Sequence, residues 1–425
     1  MKSIASTARV KSPLSADRGI DNNIPSMEER VSESSTRHGV LRLQQDAARV
    51  KPIELFFDLV FVFAIAQLSH ALLNHLTFGG VMQTLILFVA VWWVWIYTTW
   101  CTNWLVTDRV SVRLMLFALM LLGLVLSTSI PEAFGDRGVR FALAYVAMQL
   151  GRSIFMLGAL AGQDAANFRN YQRISVWLLL SAPLWIGGGL ADPDSRPLWW
   201  AGALFIDFVS PMAGFTVPGL GRSTTTDWKV SGEHMAERCG LFVIIALGEV
   251  IMLAGVTFSD IAWTPPVATI FIASVISAIA MWWIYFNIGA ERATHLFAQA
   301  RDPGAIARAA YTYIHLPILS GIVATAAGIE LLLAHPSGHV PVATAAVVTG
   351  APAVFLFGEL LFKRATAGWY LLSHLVGLLL CGALGYAALQ VSPVTLSVLN
   401  AGLLTLIAVW ETVSLRRSAM AVHQT

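Results

Sequence analysis

From Lys51 to Arg416 the chain repeats one device: an apolar run of about 20 residues, then a short polar connector. A helix of that length crosses the hydrocarbon core of a bilayer and satisfies its own backbone polar groups, which lipid cannot do. Twelve spans are predicted, at 53–73, 81–103, 111–131, 139–160, 172–190, 197–216, 237–257, 266–288, 311–333, 342–363, 368–389 and 393–413. Composition agrees. Only 12% of the 425 residues are charged and 56% are hydrophobic, with mean hydropathy +0.68. A soluble domain carries roughly 25% charged residues and could not hide this much apolar surface. The expected fold class is therefore all-α, a polytopic membrane protein with about twelve transmembrane helices, and its first partner is the lipid bilayer. A net charge of +2, with no basic stripe, argues against a nucleic-acid partner.

The organisation expected from these runs has five parts. Residues 1–50 are polar and read as a disordered cytoplasmic tail, with 39–50 as a surface amphipathic helix in the alternative. A first six-helix half (51–216), a cytoplasmic connector (217–236), a second six-helix half (237–415) and a cytoplasmic tail (416–425) follow. With twelve spans, 23 of the 27 Lys and Arg fall on one side and 3 (Arg137, Arg140, Arg196) on the other, leaving Arg152 within a span. Positive charge gathers on the cytoplasmic side, so both termini are expected there. A faint internal repeat accompanies the halves. Trp95-Ile96-Tyr97 returns as Trp283-Ile284-Tyr285, and Leu150-Gly151-Arg152 aligns with Phe357-Gly358-Glu359. Both halves would then share one orientation about an axis along the membrane normal.

Ionisable groups inside spans are costly and mark pairs or sites. Glu54 and Asp58 stack one turn apart on helix 1, and Glu249 lies far into helix 7 with no base nearby on its own helix. These three are the candidate substrate- or ion-binding residues; in the alternative, Glu54 and Asp58 pair with local bases or with donors from a neighbouring helix. Arg152 on helix 4 and Asp207 on helix 6 are expected to form a buried ion pair; in the alternative, Arg152 is an anion ligand or a switchable partner for Asp58 or Glu249. Two acids at different depths, Asp58 and Glu249, suit a stepwise proton or cation relay through one cavity. His70, His315 and His374 are scattered and read as hydrogen-bonding residues. No metal site, cofactor or catalytic residue is suggested by spacing, and Cys101, Cys239 and Cys381 form no disulfide or zinc pattern. The Trp cluster near the end of helix 2 (Trp92, Trp93, Trp95, Trp100, Trp104) reads chiefly as an interfacial belt, with an aromatic-lined pocket as the alternative.

Residues 54–70 read ELFFDLVFVFAIAQLSH and residues 237–249 read ERCGLFVIIALGE, with WWVWIYTTW and SIPEAF between them. This combination resembles the bacterial low temperature requirement A (LtrA) family from about residue 49 to the last helix. Two positions depart from it: Cys239 replaces an aromatic, and Asn287 replaces an acid. The resemblance implies a multi-pass bacterial inner-membrane protein and supplies no functional residues. Arg49 with Phe57-Asp58 is also similar to the Arg…Phe-Ser-Asp signature of certain potassium channels, but the second half lacks the Phe-Asp pair. The expected function is a secondary transporter or ion-translocating permease for a small ion or small molecule. A cation channel is the first alternative; a membrane-embedded enzyme or envelope assembly factor is the second. A homo-oligomer is compatible with all three.

Overall fold

The structure is a computed structural model, and it describes residues 40–41, 49–228, 230–287, 302–367 and 371–422. The expectations for residues 1–39, for most of the 39–50 segment and for Lys229 lie outside the described residues. Among the described residues, helix is nearly continuous. In chain order the helices are α1 (Pro52–Asn74), α2 (Phe78–Trp104), α3 (Val110–Ser129), α4 (Gly138–Leu160), α5 (Ala165–Leu190) and α6 (Arg196–Met212). The second six are α7 (Gly232–Asp260), α8 (Pro265–Phe286), α9 (His315–Ala334), α10 (Val342–Ala367), α11 (Leu372–Ala387) and α12 (Pro393–Val422). Eleven stretches are long and apolar enough to cross a membrane. The twelfth helix, α6, has 17 residues and falls just short. Its position still matches the sixth expected span.

Local chemistry sets the helix starts. Pro52, Arg196-Pro197 and Pro265 place proline in the first turn, where its missing N–H costs nothing. Thr77, Asp164, Ser231 and Thr264 cap α2, α5, α7 and α8 by accepting backbone N–H bonds. Many helices are apolar all round, as a bundle in lipid requires. On α3, Leu114, Phe117, Leu121 and Leu124 stay exposed on the outer face while Leu116, Leu119 and Leu126 are buried. Two expected boundaries shift. α7 begins at Gly232, five residues before the expected start, and α12 runs on through Val422 where a tail was expected. α9 is preceded by a π-helical stretch, Ala307–Ile314, a wide turn often found at functional sites.

Packing repeats between the halves. In the first, α1 packs on α2 and α3, α4 on α3 and α5, and α6 on α5 and α2. In the second, α7 packs on α8 and α9, α10 on α9 and α11, and α12 on α11 and α8. The same neighbour pattern thus occurs twice, within one unit spanning Val40–Thr425. The contact between halves is less regular. α9 packs on α1, and α7 on α2, but the exchanged pairs α3 on α7 and α8 on α1 are not among the well-packed ones. A strict two-fold axis would require both members of each exchange, so the contact between the halves does not follow one.

Candidate functional site

The first site is a two-rung ladder between the halves. One turn separates Glu54 from Asp58 on α1, and one turn separates His234 from Arg238 on α7, so both pairs stack on a single helix face. Arg238 grips Asp58 with two nitrogens, at 2.7 and 2.9 Å, and its Nε lies 3.9 Å from Glu54. His234 Nε2 lies 2.9 Å from Glu54 Oε1. α2 supports both rungs. Trp95 Nε1 donates to Asp58 at 2.8 Å, and the Arg238 guanidinium sits over the Trp95 ring at 5.3 Å. Asn103 Oδ1 accepts from Ser231 N, which turns its Nδ2 toward His234 Nδ1 at 3.2 Å. An amide nitrogen only donates, so Nδ1 accepts and the His234 ring proton sits on Nε2, aimed at Glu54. All four ladder side chains are fully buried.

Of the two alternatives for Glu54 and Asp58, donors from a neighbouring helix are the ones present. Lys51 turns away instead, reaching Asp108 at 3.4 Å beside Arg113 at 3.0 Å. The Arg113 guanidinium, then burial working against it, then Lys51 set the balance that holds the exposed Asp108 carboxyl below its usual range.

Arg152 and Asp207 do not form the expected ion pair. Arg152 donates to Val94 O at 3.2 Å, to Thr98 Oγ1 at 3.1 Å and to Gln149 Oε1. Asp207 accepts from Tyr145 at 2.8 Å and from Trp185 at 3.1 Å. Gln149 Nε2 donates to the Tyr145 hydroxyl at 3.1 Å. Arg152 and Asp207 are therefore joined through Gln149 and Tyr145 on α4. The physical reason is local. Gln149 and Tyr145 lie one and two turns from Arg152 on its own helix face, so they intercept the charge before it reaches α6.

Beside Arg152 opens a cavity of about 670 Å³, counting its mouth. Its floor holds Arg152, Cys101 and Tyr97; its walls include Tyr171, Phe215 and Trp228. Its rim comes from the connector after α6 and from Gly304, Arg308 and Thr312 at the π-helical entry to α9. Arg152 lies eight residues from the end of α4, so the cavity reaches about 12 Å into the helix bundle. The Trp cluster corrects the belt expectation. Trp92, Trp93 and Trp95 are buried in the bundle core, and Trp92 and Trp100 bond Thr312 O and Oγ1 at 2.8 and 3.0 Å. The α2 tryptophans thus fasten the second half's π-helical turn onto the first half, and Trp100 also lines the cavity.

The cavity wall depends on one glycine. Gly214 has φ +61° and is followed by Phe215 at φ 47°. A Cβ on Gly214 would stand 2.5 Å from Ser223 O. Gly214→Ala is expected to destabilise the protein by more than about 1 kcal/mol, because alanine is strained at positive φ and has no space there. Gly151→Ala on α4, where a Cβ meets nothing within 4 Å, is the control. Thermal unfolding in detergent should show a lower Tm for the first variant alone; equal Tm values would refute the strain.

Glu249 is 2% exposed, and its Oε2 has no hydrogen-bond partner among the described residues. His70 of α1 and Glu330 of α9 are the titratable side chains that face it. Neither Asp58 nor Glu249 lines the cavity beside Arg152. Asp58 is level with Arg238, so Glu249 lies eleven residues farther along α7, a rise of about 16 Å. Phe61 and Phe242, with ring centroids 6.2 Å apart, pack in the interval. Asp58, Arg152 and Glu249 thus sit in three separate surroundings.

A further buried cluster was not anticipated. Lys363 Nζ on α10 lies 2.8 Å from Glu411 on α12, 3.3 Å from Glu359 one turn back, and 3.3 Å from His374 on α11. It also donates to Ile284 O on α8 at 2.9 Å. The signal available was the Glu359/Lys363 spacing of four on a helix face. His315 is satisfied by Tyr285 at 2.9 Å and Ala310 O at 2.8 Å, as expected of a hydrogen-bonding histidine. Among the described residues no group of three or more His, Cys, Asp or Glu is placed to hold a metal.

Residues 49–409 match the family described as bacterial low temperature requirement A protein (LtrA). A protein of Rhizobium meliloti (strain 1021), described as uncharacterized protein RA0937, is 39% identical over 393 residues, which is 92% of this chain and 96% of that protein. No solved structure matches. Of the two motifs that carry the resemblance, 54–70 holds the ladder residues Glu54 and Asp58 and 237–249 holds Arg238, with His234 one turn before it. With most of its length matched, the chain is a multi-pass membrane protein that belongs to the bacterial low temperature requirement A family.

Proposed function

We propose that the chain is a secondary transporter, a permease of the bacterial inner membrane with both termini cytoplasmic. The observation that carries this is the cavity that opens among the connectors of one side and ends at Arg152 inside the bundle. Alternating access requires a site open to one side and closed to the other, set where one half can rock against its partner. The cavity meets that description, since α2, α4 and α5 of the first half line it and the π-helical segment of the second half closes its rim. The ladder Glu54–His234 and Asp58–Arg238 joins the same two halves. In this scheme it is the gate that separates and re-forms, while Glu249 takes up the coupling proton. The cation-channel alternative is less well supported, because a cation path is lined by acids or carbonyls, whereas among the described residues this cavity is lined by Arg152 and Arg308 and by no acidic side chain.

Proteoliposomes with a trapped pH dye test the proposal. Saturable flux of an offered small ion, driven by an imposed pH gradient, is the expected result, and Glu249→Gln should remove the pH dependence while leaving exchange of unlabelled for labelled substrate. Non-saturating conductance in a planar bilayer would reject the transporter in favour of a channel.

A further inference from the structure

Arg152 is 1% exposed and has no carboxylate within ion-pair distance among the described residues. Its assigned acceptors are a backbone carbonyl, a hydroxyl and an amide oxygen. A charge taken out of water is stabilised by neutral dipoles only in part; a counter-charge completes the balance. The same cavity presents a second guanidinium. Arg308 is half-buried at the rim and donates to Pro211 O at 3.0 Å. The nearest acids do not line the space. Asp207 lies behind Gln149 and Tyr145, and Asp302 is turned to Thr225 Oγ1. Asp227 likewise stays at the rim, accepting from Thr224 N at 2.7 Å, so the charge deepest in the cavity is that of Arg152.

The walls say what else the occupant carries. Trp100 and Trp228 meet edge to face at 5.5 Å, and Phe215 lies 5.9 Å from Trp228. Both indole N–H groups are already engaged, Trp100 with Thr312 Oγ1 at 3.0 Å and Trp228 with Ser223 Oγ at 2.7 Å. These rings can offer faces and edges to an apolar group, not donors. Strong donors are concentrated at the two arginines. About 670 Å³ of unfilled space, open solvent at the mouth included, lies between these rings and the two arginines.

We propose that this cavity binds a small organic anion with a flat apolar body, its carboxylate or equivalent anionic group on Arg152 and its body against the Trp100–Trp228–Phe215 wall. The proposal rests on the transporter reading only for the direction in which the anion would travel; binding itself does not need it.

Calorimetric titration of the detergent-purified chain with benzoate, and with benzylamine as its cationic counterpart, is the test. Benzoate should bind and raise the Tm, while benzylamine should do neither. Arg152→Gln should weaken benzoate binding by about tenfold or more, the usual effect of losing a charged hydrogen-bond donor, with Arg152→Lys recovering part of it. Arg308→Gln, at the half-exposed rim, should weaken it less and keep the chain folded if Arg152→Gln does not. Equal binding of both probes, preference for benzylamine, absence of benzoate binding, or unchanged affinity in both glutamine variants would overturn the proposal. Flux of benzenesulfonate, which stays anionic and does not cross lipid unaided, separates the two claims. Benzoate binding without any benzenesulfonate flux leaves the anion site standing and counts against transport. Saturable cation flux in a chain that ignores benzoate does the reverse.

Discussion

Arg238→Met is expected to be among the most damaging single substitutions in the chain, and Asp58→Asn in the same molecule is expected to undo most of the damage. Arg238 holds Asp58 with two bonds and lies 3.9 Å from Glu54, so its loss strands the Asp58 carboxylate at a fully buried helix contact and takes a second cation from Glu54. Removing one partner of a buried ion pair costs roughly 3–5 kcal/mol, whereas replacing both charges is close to neutral. An asparagine in place of Asp58 would keep an oxygen for Trp95 Nε1, which bonds Asp58 at 2.8 Å, and would leave Glu54 with His234 at 2.9 Å. Asp58→Asn alone should be intermediate, because Arg238 keeps Glu54 as a distant counter-charge and the ring of Trp95 beneath it. Yield of monodisperse protein in detergent and its Tm should rank wild type, double variant, Asp58→Asn and then Arg238→Met. A double variant no better than Arg238→Met would show that the pair is not coupled; an Arg238→Met protein as stable as wild type would remove the ladder as a structural element.

The twelve helices were legible because lipid leaves the backbone few alternatives. Length and apolarity locate them almost unaided, and the one marginal case, α6, differs only in being 17 residues long. The charged residues within spans were equally visible. Their partners were not, and the failures share a cause. The 23 basic residues placed on one side include Arg238 and Lys363, which stand at the ends of the expected spans 237–257 and 342–363. In the structure α7 begins at Gly232 and α10 runs to Ala367, so both residues lie within helices and both are buried. A rule that assigns basic residues near span ends to the aqueous surface gives these two the wrong surroundings. The Arg152–Asp207 pairing failed for the opposite reason. It assumed that two opposite charges in one bundle must meet, whereas Gln149 and Tyr145 on the same helix face connect them as a chain of polar groups. Helix pairing across sequence separations of 180 residues, as between Asp58 and Arg238, leaves no periodic trace in a single sequence. The matching spacing of four in Glu54/Asp58 and His234/Arg238 was a clue to it, but only once α1 and α7 were known to touch.

Lys363→Met should be as severe as Arg238→Met, and its severity should depend on which glutamate is neutralised with it. Lys363 is the cation of a cluster that joins four helices of the second half. Glu411 on α12 approaches to 2.8 Å, Glu359 on its own helix to 3.3 Å, and His374 on α11 to 3.3 Å, while Ile284 O on α8 accepts at 2.9 Å. Two buried carboxylates with one lysine leave one negative charge unbalanced, unless a proton is held there. Their positions differ. Lys363 donates directly to Glu411 at 2.9 Å, but neither Glu359 oxygen has a hydrogen-bond partner among the described residues. Glu359 therefore contributes charge without a bond in return, and Glu359→Gln should be neutral or mildly stabilising. Glu411→Gln should be destabilising, because it weakens the direct bond from α10 to α12. Lys363→Met leaves both acids facing each other across an apolar gap and should cost roughly 3–5 kcal/mol. Adding Glu411→Gln to Lys363→Met should recover more than adding Glu359→Gln, since Glu411 is the acid left without its direct donor. Tm in detergent across these five variants decides the matter. If Glu359→Gln proves as damaging as Glu411→Gln, the lysine is shared equally, and the two acids act as one proton-holding unit rather than as a bonded pair with a bystander.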